Sequence, residues 1–285
     1  MEIKKVGVVG CGLMGRGIVE VTARAGYEVI VSEINQELLD KGMAALDASL
    51  VRGVKAGKVT EQEKADTMKR ITGTTNTGDF KSCDLVIEAA IENLELKKKI
   101  FADLDKICPA QTILATNTSC LSVIDIAAVT KRQDKVLGVH FFNPVPLMRL
   151  VELIKTIATS EETLKVARAF GEKVGKEVVI VTDTPGFIVN RLMIPLLIDA
   201  IRMLESGTAT KEDIDKAVKL GLNHPMGPVA LADFIGLDTV YFICNAMYDD
   251  LKEPRYAPPM LLKKMVAAGR FGRKSGKGFY EYRQA

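Results

Sequence analysis

Histidine is scarce in this chain, whose 285 residues include two, His140 and His224. A proton transfer that needs an imidazole near neutral pH therefore has few candidates. Cysteine is sparse as well: Cys11, Cys83, Cys108, Cys120 and Cys244 are odd in number and never form a C-x-x-C pair. That pattern argues against a disulfide framework and a structural zinc site, so no metal is expected and a reducing cytoplasm fits best. Long apolar runs are missing. Leu192 to Ile198 falls far short of the roughly 20 residues needed to span a bilayer, and the opening apolar run reaches glycines too soon for a secretory leader. An excess of one charge sign is also missing, with Lys plus Arg at 39, Asp plus Glu at 36 and a net charge of +3. Such a balance points away from nucleic acid and anionic membranes as partners, and any anionic ligand must meet a local patch.

What is present is globular: 47% hydrophobic and 26% charged residues, in a length that suggests about two domains. Val6-Gly7-Val8-Val9 reads as a buried strand and runs into Gly10-Cys11-Gly12-Leu13-Met14-Gly15. A helical pattern follows, with Met14, Ile18, Val21 and Ala25 on one face and Gly26 as its stop. Tyr27 to Ser32 reads as a second strand, with Glu33 at its tip. A G-x-G-x-x-G between strand and helix fits a βαβ dinucleotide site. Gly10 would allow the tight turn, Gly12 the approach of a pyrophosphate, and Gly15 the close packing of helix on strand. Glu33 lies 18 residues beyond Gly15, near the roughly 20-residue offset of the acidic residue that receives the adenosine ribose. Its charge would repel a 2′-phosphate, and no Arg or Lys follows among Ile34, Asn35 and Gln36, so NAD is favoured over NADP. The plain alternative for Glu33 is a solvated strand-end charge.

Asn35 to Ala56 reads as a helix with Leu39, Met43, Leu46 and Leu50 inward, and Thr60-x-x-Glu63 as a capping box opening a second helix. The two make a helical hairpin. Strands are expected near residues 85–89, 113–115, 136–141, 150–154 and 178–181, with helices between several of them. Beyond Val181 the texture becomes helical, after the punctuation Thr184-Pro185-Gly186. The expected fold is therefore α/β: an N-terminal Rossmann-type doubly wound sheet with an inserted helical hairpin over residues 1–183, then an all-α domain over 184–285.

His140 stands at the end of an expected strand, where doubly wound sheets gather their ligands. A lone histidine is more often a satisfied core residue. Glu152, in Leu150-Val151-Glu152-Leu153-Ile154, is a charge inside an apolar strand, and pairing with His140 would resolve its burial. If that strand exposes one face, Glu152 lies in water instead.

In order along the chain, Gly10-x-Gly12-Leu13-Met14-Gly15, Glu88-Ala89-Ala90-Ile91-Glu92, Thr116-Asn117-Thr118-Ser119, His140-Phe141-Phe142-Asn143-Pro144, the Glu152 strand, Asp183-x-x-Gly186-Phe187-x-x-Asn190-Arg191 and Gly272-Arg273-Lys274-x-Gly276-x-Gly278-Phe279-Tyr280 carry a resemblance. Over nearly its whole length the chain resembles the L-3-hydroxyacyl-CoA dehydrogenase family, most closely its stand-alone bacterial 3-hydroxybutyryl-CoA dehydrogenases.

That resemblance implies reversible NAD-dependent oxidation of an L-3-hydroxyacyl-CoA to a 3-ketoacyl-CoA. It makes His140 the base, Glu152 its partner, and Ser119 and Asn190 the residues that bind the reacting oxygen. It places Glu92, Lys97, Ser119, Asn143 and Lys274 against the dinucleotide together with Gly10, Gly12, Leu13, Met14, Gly15 and Glu33. It also implies a homodimer formed through the C-terminal helical domain. For the acyl-CoA phosphates, Arg52 and Lys55 offer a local cationic patch. Taken alone, Ser119 reads equally as a helix cap, Asn190 as a helix polar face and Lys97 as part of the surface run Lys97-Lys98-Lys99. Arg16 stands where the family has a small residue, and Cys120 lacks a second histidine to activate it. A binding protein without turnover would lack one of Ser119, His140, Glu152 or Asn190. Related small hydroxy-acid dehydrogenases rely instead on a catalytic lysine.

Overall fold

Strand β1 (Lys5–Val9) forms because its run of valines can be buried on both faces, as interior parallel strands require. The computed structural model describes residues 2–282. Its described residues divide into two compact units that part between Thr184 and Pro185.

In the first unit β1 leads into α1 (Leu13–Arg24), β2 (Glu28–Ser32), the hairpin helices α2 (Gln36–Lys55) and α3 (Glu61–Lys69), and β3 (Ile71–Thr74). Then come β4 (Leu85–Glu88), α4 (Leu94–Ile107), β5 (Ile113–Thr116), α5 (Val123–Ala127), β6 (Val136–Phe141), β7 (Leu150–Lys155), α6 (Glu161–Lys173) and β8 (Glu177–Thr182). The strands form one eight-stranded sheet in the order β3-β2-β1-β4-β5-β6-β7-β8, a Rossmann-type doubly wound sheet. All neighbours pair in parallel except β6 and β7. The connection over 142–149 holds no crossover helix, so β7 can only return alongside β6 in the opposite direction.

Local signals explain the helix boundaries. Asn35 caps α2 by accepting from the Leu38 N–H at 2.9 Å. Thr60 and Glu63 exchange hydrogen bonds as a capping box at the start of α3. Leu39, Leu46 and Leu50 of α2 are buried in the core with Ile18 and Val31, and Met43 packs at its edge. Burying each of those leucines contributes about 2 kcal/mol. Strand β3, Ile71-Thr72-Gly73-Thr74, was not expected: it has one large apolar residue and no clear alternation, and its pairing with β2 defines it.

The second unit is helical: α7 (Val189–Glu205), α8 (Lys211–Gly221), α9 (Pro228–Ile235), α10 (Leu237–Leu251) and α11 (Met260–Ala267). Ile194, Leu197, Ile198 and Ile201 of α7 share a core with Leu237, Val240, Cys244 and Met247 of α10. Two buried aspartates pin the chain end. Asp233 accepts from Phe279 N–H at 3.0 Å, Tyr280 N–H at 2.9 Å and the Tyr282 hydroxyl at 3.0 Å. Asp215 accepts from the Tyr280 hydroxyl at 2.9 Å and from two first-turn amides of α9. Among the described residues no single helix is long and apolar enough to cross a membrane.

Candidate active site

The glycine loop occupies the turn from β1 to α1. Gly10 adopts a φ of +95°, a left-handed conformation in which a side chain is strained. A Cβ on Gly15 would lie 1.9 Å from the Gly10 carbonyl oxygen, whereas beside Gly12 nothing lies within 4 Å. The loop is thus closed where helix meets strand and open where a ligand backbone can approach. No side chain caps α1, and its first turn has no acidic residue. The amides there, including those of Leu13 and Met14, are the donors that helix geometry leaves over, and they favour an anion.

Glu33 continues this site. Its Oε1 accepts from the Cys11 N–H at 2.7 Å and its Oε2 from the Ile34 N–H at 3.1 Å, so the carboxylate is tied to the glycine loop and is not merely a strand-end charge in water. The neighbouring Cys11 thiol is pushed up to about 11, by burial first and by the Glu33 charge second. Loop, carboxylate and the apolar walls of Ile34, Ile91 and Leu96 enclose a cavity of about 590 Å³. An acceptor for sugar hydroxyls at one side, helix amides for phosphates and apolar walls for a planar base suit a dinucleotide.

At the ends of β4 and β5, Glu92 gathers the chain around Ser119. Its Oε1 accepts from the Thr118 hydroxyl at 2.5 Å, Ser119 N–H at 2.7 Å and Cys120 N–H at 3.3 Å. Lys97 is not part of a solvated run. Its side chain is 1% exposed, and its Nζ lies 2.6 Å from Glu88 Oε1 and 3.4 Å from Glu92 Oε2. In this arrangement the ammonium faces protein carboxylates. Downstream of Ser119, the Asp183 carboxylate accepts from the Val123 and Ile124 amides at 3.2 and 2.7 Å and caps α5.

All six residues of β6 are buried. The antiparallel register sets His140 opposite Glu152, and His140 Nδ1 lies 2.7 Å from Glu152 Oε2. Glu152 is 1% exposed, so the reading that puts it in water does not hold. A carboxylate accepting at Nδ1 selects the tautomer protonated there, leaving Nε2 with the lone pair that a base needs. The Phe142 ring packs on the imidazole at 4.5 Å between centroids, and Asn117 Oδ1 accepts from the Phe141 N–H at 2.9 Å. These contacts hold the strand end and the imidazole in place.

Asn143 is exposed just beyond β6, and Arg52 and Lys55 are exposed on the last turns of α2. Arg16 is half-buried on α1. In the second unit, Asn190 is buried in the first turn of α7, and exposed Lys274 pairs with Asp238 at 2.6 Å. Cys120 is buried, with Sγ 3.8 Å from Glu92 Oε1. Sequence reasoning missed Glu88, Asn117 and the capping by Asp183. Glu88 carries the signal that singled out Glu152, a lone charge closing an apolar strand, and it passed unread inside a motif.

Comparison with known proteins shows the family of the chain. The family model described as 3-hydroxyacyl-CoA dehydrogenase, NAD binding domain, matches residues 5–184, and that described as 3-hydroxyacyl-CoA dehydrogenase, C-terminal domain, matches residues 186–282. The chain is similar to a Mycobacterium tuberculosis protein named 3-hydroxybutyryl-CoA dehydrogenase, at 49% identity over 98% of this chain and 99% of that one. Among solved structures it is similar to M. tuberculosis FadB2, with TM-score 0.98, 48% identity and coverage of 99% and 100%. It is likewise similar to the (S)-3-hydroxybutyryl-CoA dehydrogenase PaaH1 of Ralstonia eutropha, with TM-score 0.95, 45% identity and coverage of 99% and 100%.

Proposed function

The chain belongs to the 3-hydroxyacyl-CoA dehydrogenase family, and from that premise we propose that it interconverts an L-3-hydroxyacyl-CoA and its 3-ketoacyl-CoA with NAD. The substrate pair we assign is 3-hydroxybutanoyl-CoA and acetoacetyl-CoA, after the names of its relatives. The observation that carries the reading is the buried His140–Glu152 pair, 2.7 Å apart, on the sheet that also bears the glycine loop.

The nicotinamide cofactor, when bound, supplies the acceptor for the hydride leaving C3. Gly10, Gly12, Leu13, Met14 and Gly15 hold its pyrophosphate, and Glu33 receives the adenosine ribose hydroxyls in a position unfavourable to a 2′-phosphate. His140 Nε2 takes the C3 hydroxyl proton as the alcohol is oxidised and returns it in the reverse direction. Glu152 keeps the ring in that tautomer and balances the imidazolium that forms. Ser119 donates to the C3 oxygen, stabilising the charge that develops there. Asn190 is assigned a second donor role by family resemblance, Asn143 and Lys274 contacts to the dinucleotide, and Arg52 and Lys55 contacts to the CoA phosphates. Glu92 and Lys97 are likewise assigned contacts to the dinucleotide by family resemblance. The protein works in this reading as a cytoplasmic homodimer joined through its helical unit.

The test is NADH oxidation with acetoacetyl-CoA and, in parallel, with a longer 3-ketoacyl-CoA. Turnover with the short substrate at a higher kcat/KM supports the assignment. No turnover with either contradicts it.

A further inference from the structure

One buried charge, Glu88, stands outside the proposed chemistry, and it is paired with Lys97. Glu88 closes β4 and Lys97 lies in the first turn of α4, both at 0% exposure. A cation in a first turn is opposed by the helix dipole, and a buried ion pair adds little stability over an apolar pair of similar volume. Neither helix formation nor stability therefore accounts for Lys97 where it is.

Its contacts give it a different role. Glu88 Oε1 accepts from Lys97 Nζ at 2.6 Å and from the Ala90 N–H at 2.7 Å, while Oε2 accepts from the Thr116 hydroxyl at 2.7 Å. Glu88 is thus held on both oxygens and holds the ammonium in turn. The same ammonium reaches Glu92 Oε2 at 3.4 Å. The opposite oxygen of Glu92 takes the Thr118 hydroxyl and the Ser119 amide. An unbroken series of charged contacts therefore runs from the tip of β4 to the turn that presents Ser119.

We propose that Glu88 is a positioning residue: through Lys97 it fixes the orientation of Glu92, and through Glu92 it aims Ser119 at the reacting oxygen. The proposal rests on the functional reading above, in which Ser119 donates to that oxygen. Without the Glu88 charge, Lys97 is drawn wholly to Glu92, the Glu92 carboxylate rotates, and the turn over 118–120 loses its register. Misplacement of a reacting group by about 1 Å costs about 10²-fold in rate.

The experiment is a double-mutant cycle on the full-length protein, combining Glu88→Gln with Ser119→Ala and measuring kcat and KM separately. Glu88→Gln is expected to lower kcat about 10- to 100-fold with the acyl-CoA KM nearly unchanged. In the Ser119→Ala background the same change is expected to have almost no further effect on kcat. A purely structural role moves neither signature, and losses that multiply in the double variant overturn the proposal. Should Glu88→Gln fold poorly, Glu88→Asp, which keeps the charge but draws it back from Lys97, enters the same cycle with the same expectation. Ser119→Ala with undiminished turnover overturns the functional reading itself and this role with it, a result distinct from multiplicative losses.

Discussion

His140 and Glu152 face each other across the one antiparallel seam of the sheet, with Nδ1 and Oε2 2.7 Å apart. Directly opposed residues in an antiparallel pair project from the same face. The reversal of β7 therefore brings the carboxylate to the imidazole, and neither side chain depends on a mobile loop for its place.

Glu152→Gln keeps the shape of the side chain and removes its charge. The amide offers a donor as well as an acceptor to Nδ1, so the ring is no longer held in one tautomer. We expect kcat to fall by about 10²-fold or more, with the circular dichroism spectrum of the native protein retained. Wild-type kcat in a folded Glu152→Gln protein contradicts the pairing role.

Glu33→Ala tests the choice of cofactor. Removing the carboxylate removes its repulsion of a 2′-phosphate, so the ratio of kcat/KM for NADH over NADPH is expected to drop about 10-fold. An unchanged ratio, or a wild-type enzyme that prefers NADPH, contradicts the role given to Glu33.

Gly15→Ala puts a Cβ 1.9 Å from the Gly10 carbonyl oxygen, and both are backbone-fixed. The loop must shift, at a stability cost of about 1–3 kcal/mol, and its approach to a pyrophosphate is lost. A fluorescence titration with NADH should show weakened binding alongside a lowered Tm. Native affinity and Tm contradict the loop assignment.

The chain end gives a pH signature. The Tyr282 phenol is pushed up to about 12, by burial first and by the Asp233 carboxylate second, and Tyr280 is raised as well, by burial and then its hydrogen bond to Asp215. The folded protein holds these protons more tightly than the unfolded chain, whose phenols titrate near about 10. The stability that Tyr282 contributes is full below about pH 10 and is lost as pH rises through about 12. Denaturant midpoints across that window should fall less steeply for Tyr282→Phe than for wild type. Parallel curves contradict the coupling.

Much of this was legible in the sequence where one local rule decides the outcome. Gly10-x-Gly12-x-x-Gly15 between a valine strand and an amphipathic helix, the Thr60–Glu63 capping box and the apolar strand that carries His140 near its end each satisfy short-range requirements. What escaped depends on partners distant in sequence. Ile71–Thr74 becomes a strand through its pairing with β2, and the direction of β7 is set by a connection without a helix. Lys97 reads as a surface lysine beside Lys98 and Lys99 until β4 brings Glu88 against it. Burial of a charge is a tertiary property, and sequence registers it only as an interruption in an apolar pattern.

The central claim is that His140 carries the proton in an NAD-linked reaction at C3. Its most direct test is the reduction of acetoacetyl-CoA by NADH, with wild-type protein and a folded His140→Ala variant assayed side by side. The account predicts robust wild-type turnover and a kcat lower by about 10²- to 10⁴-fold in the variant. Comparable turnover by the two proteins would contradict it.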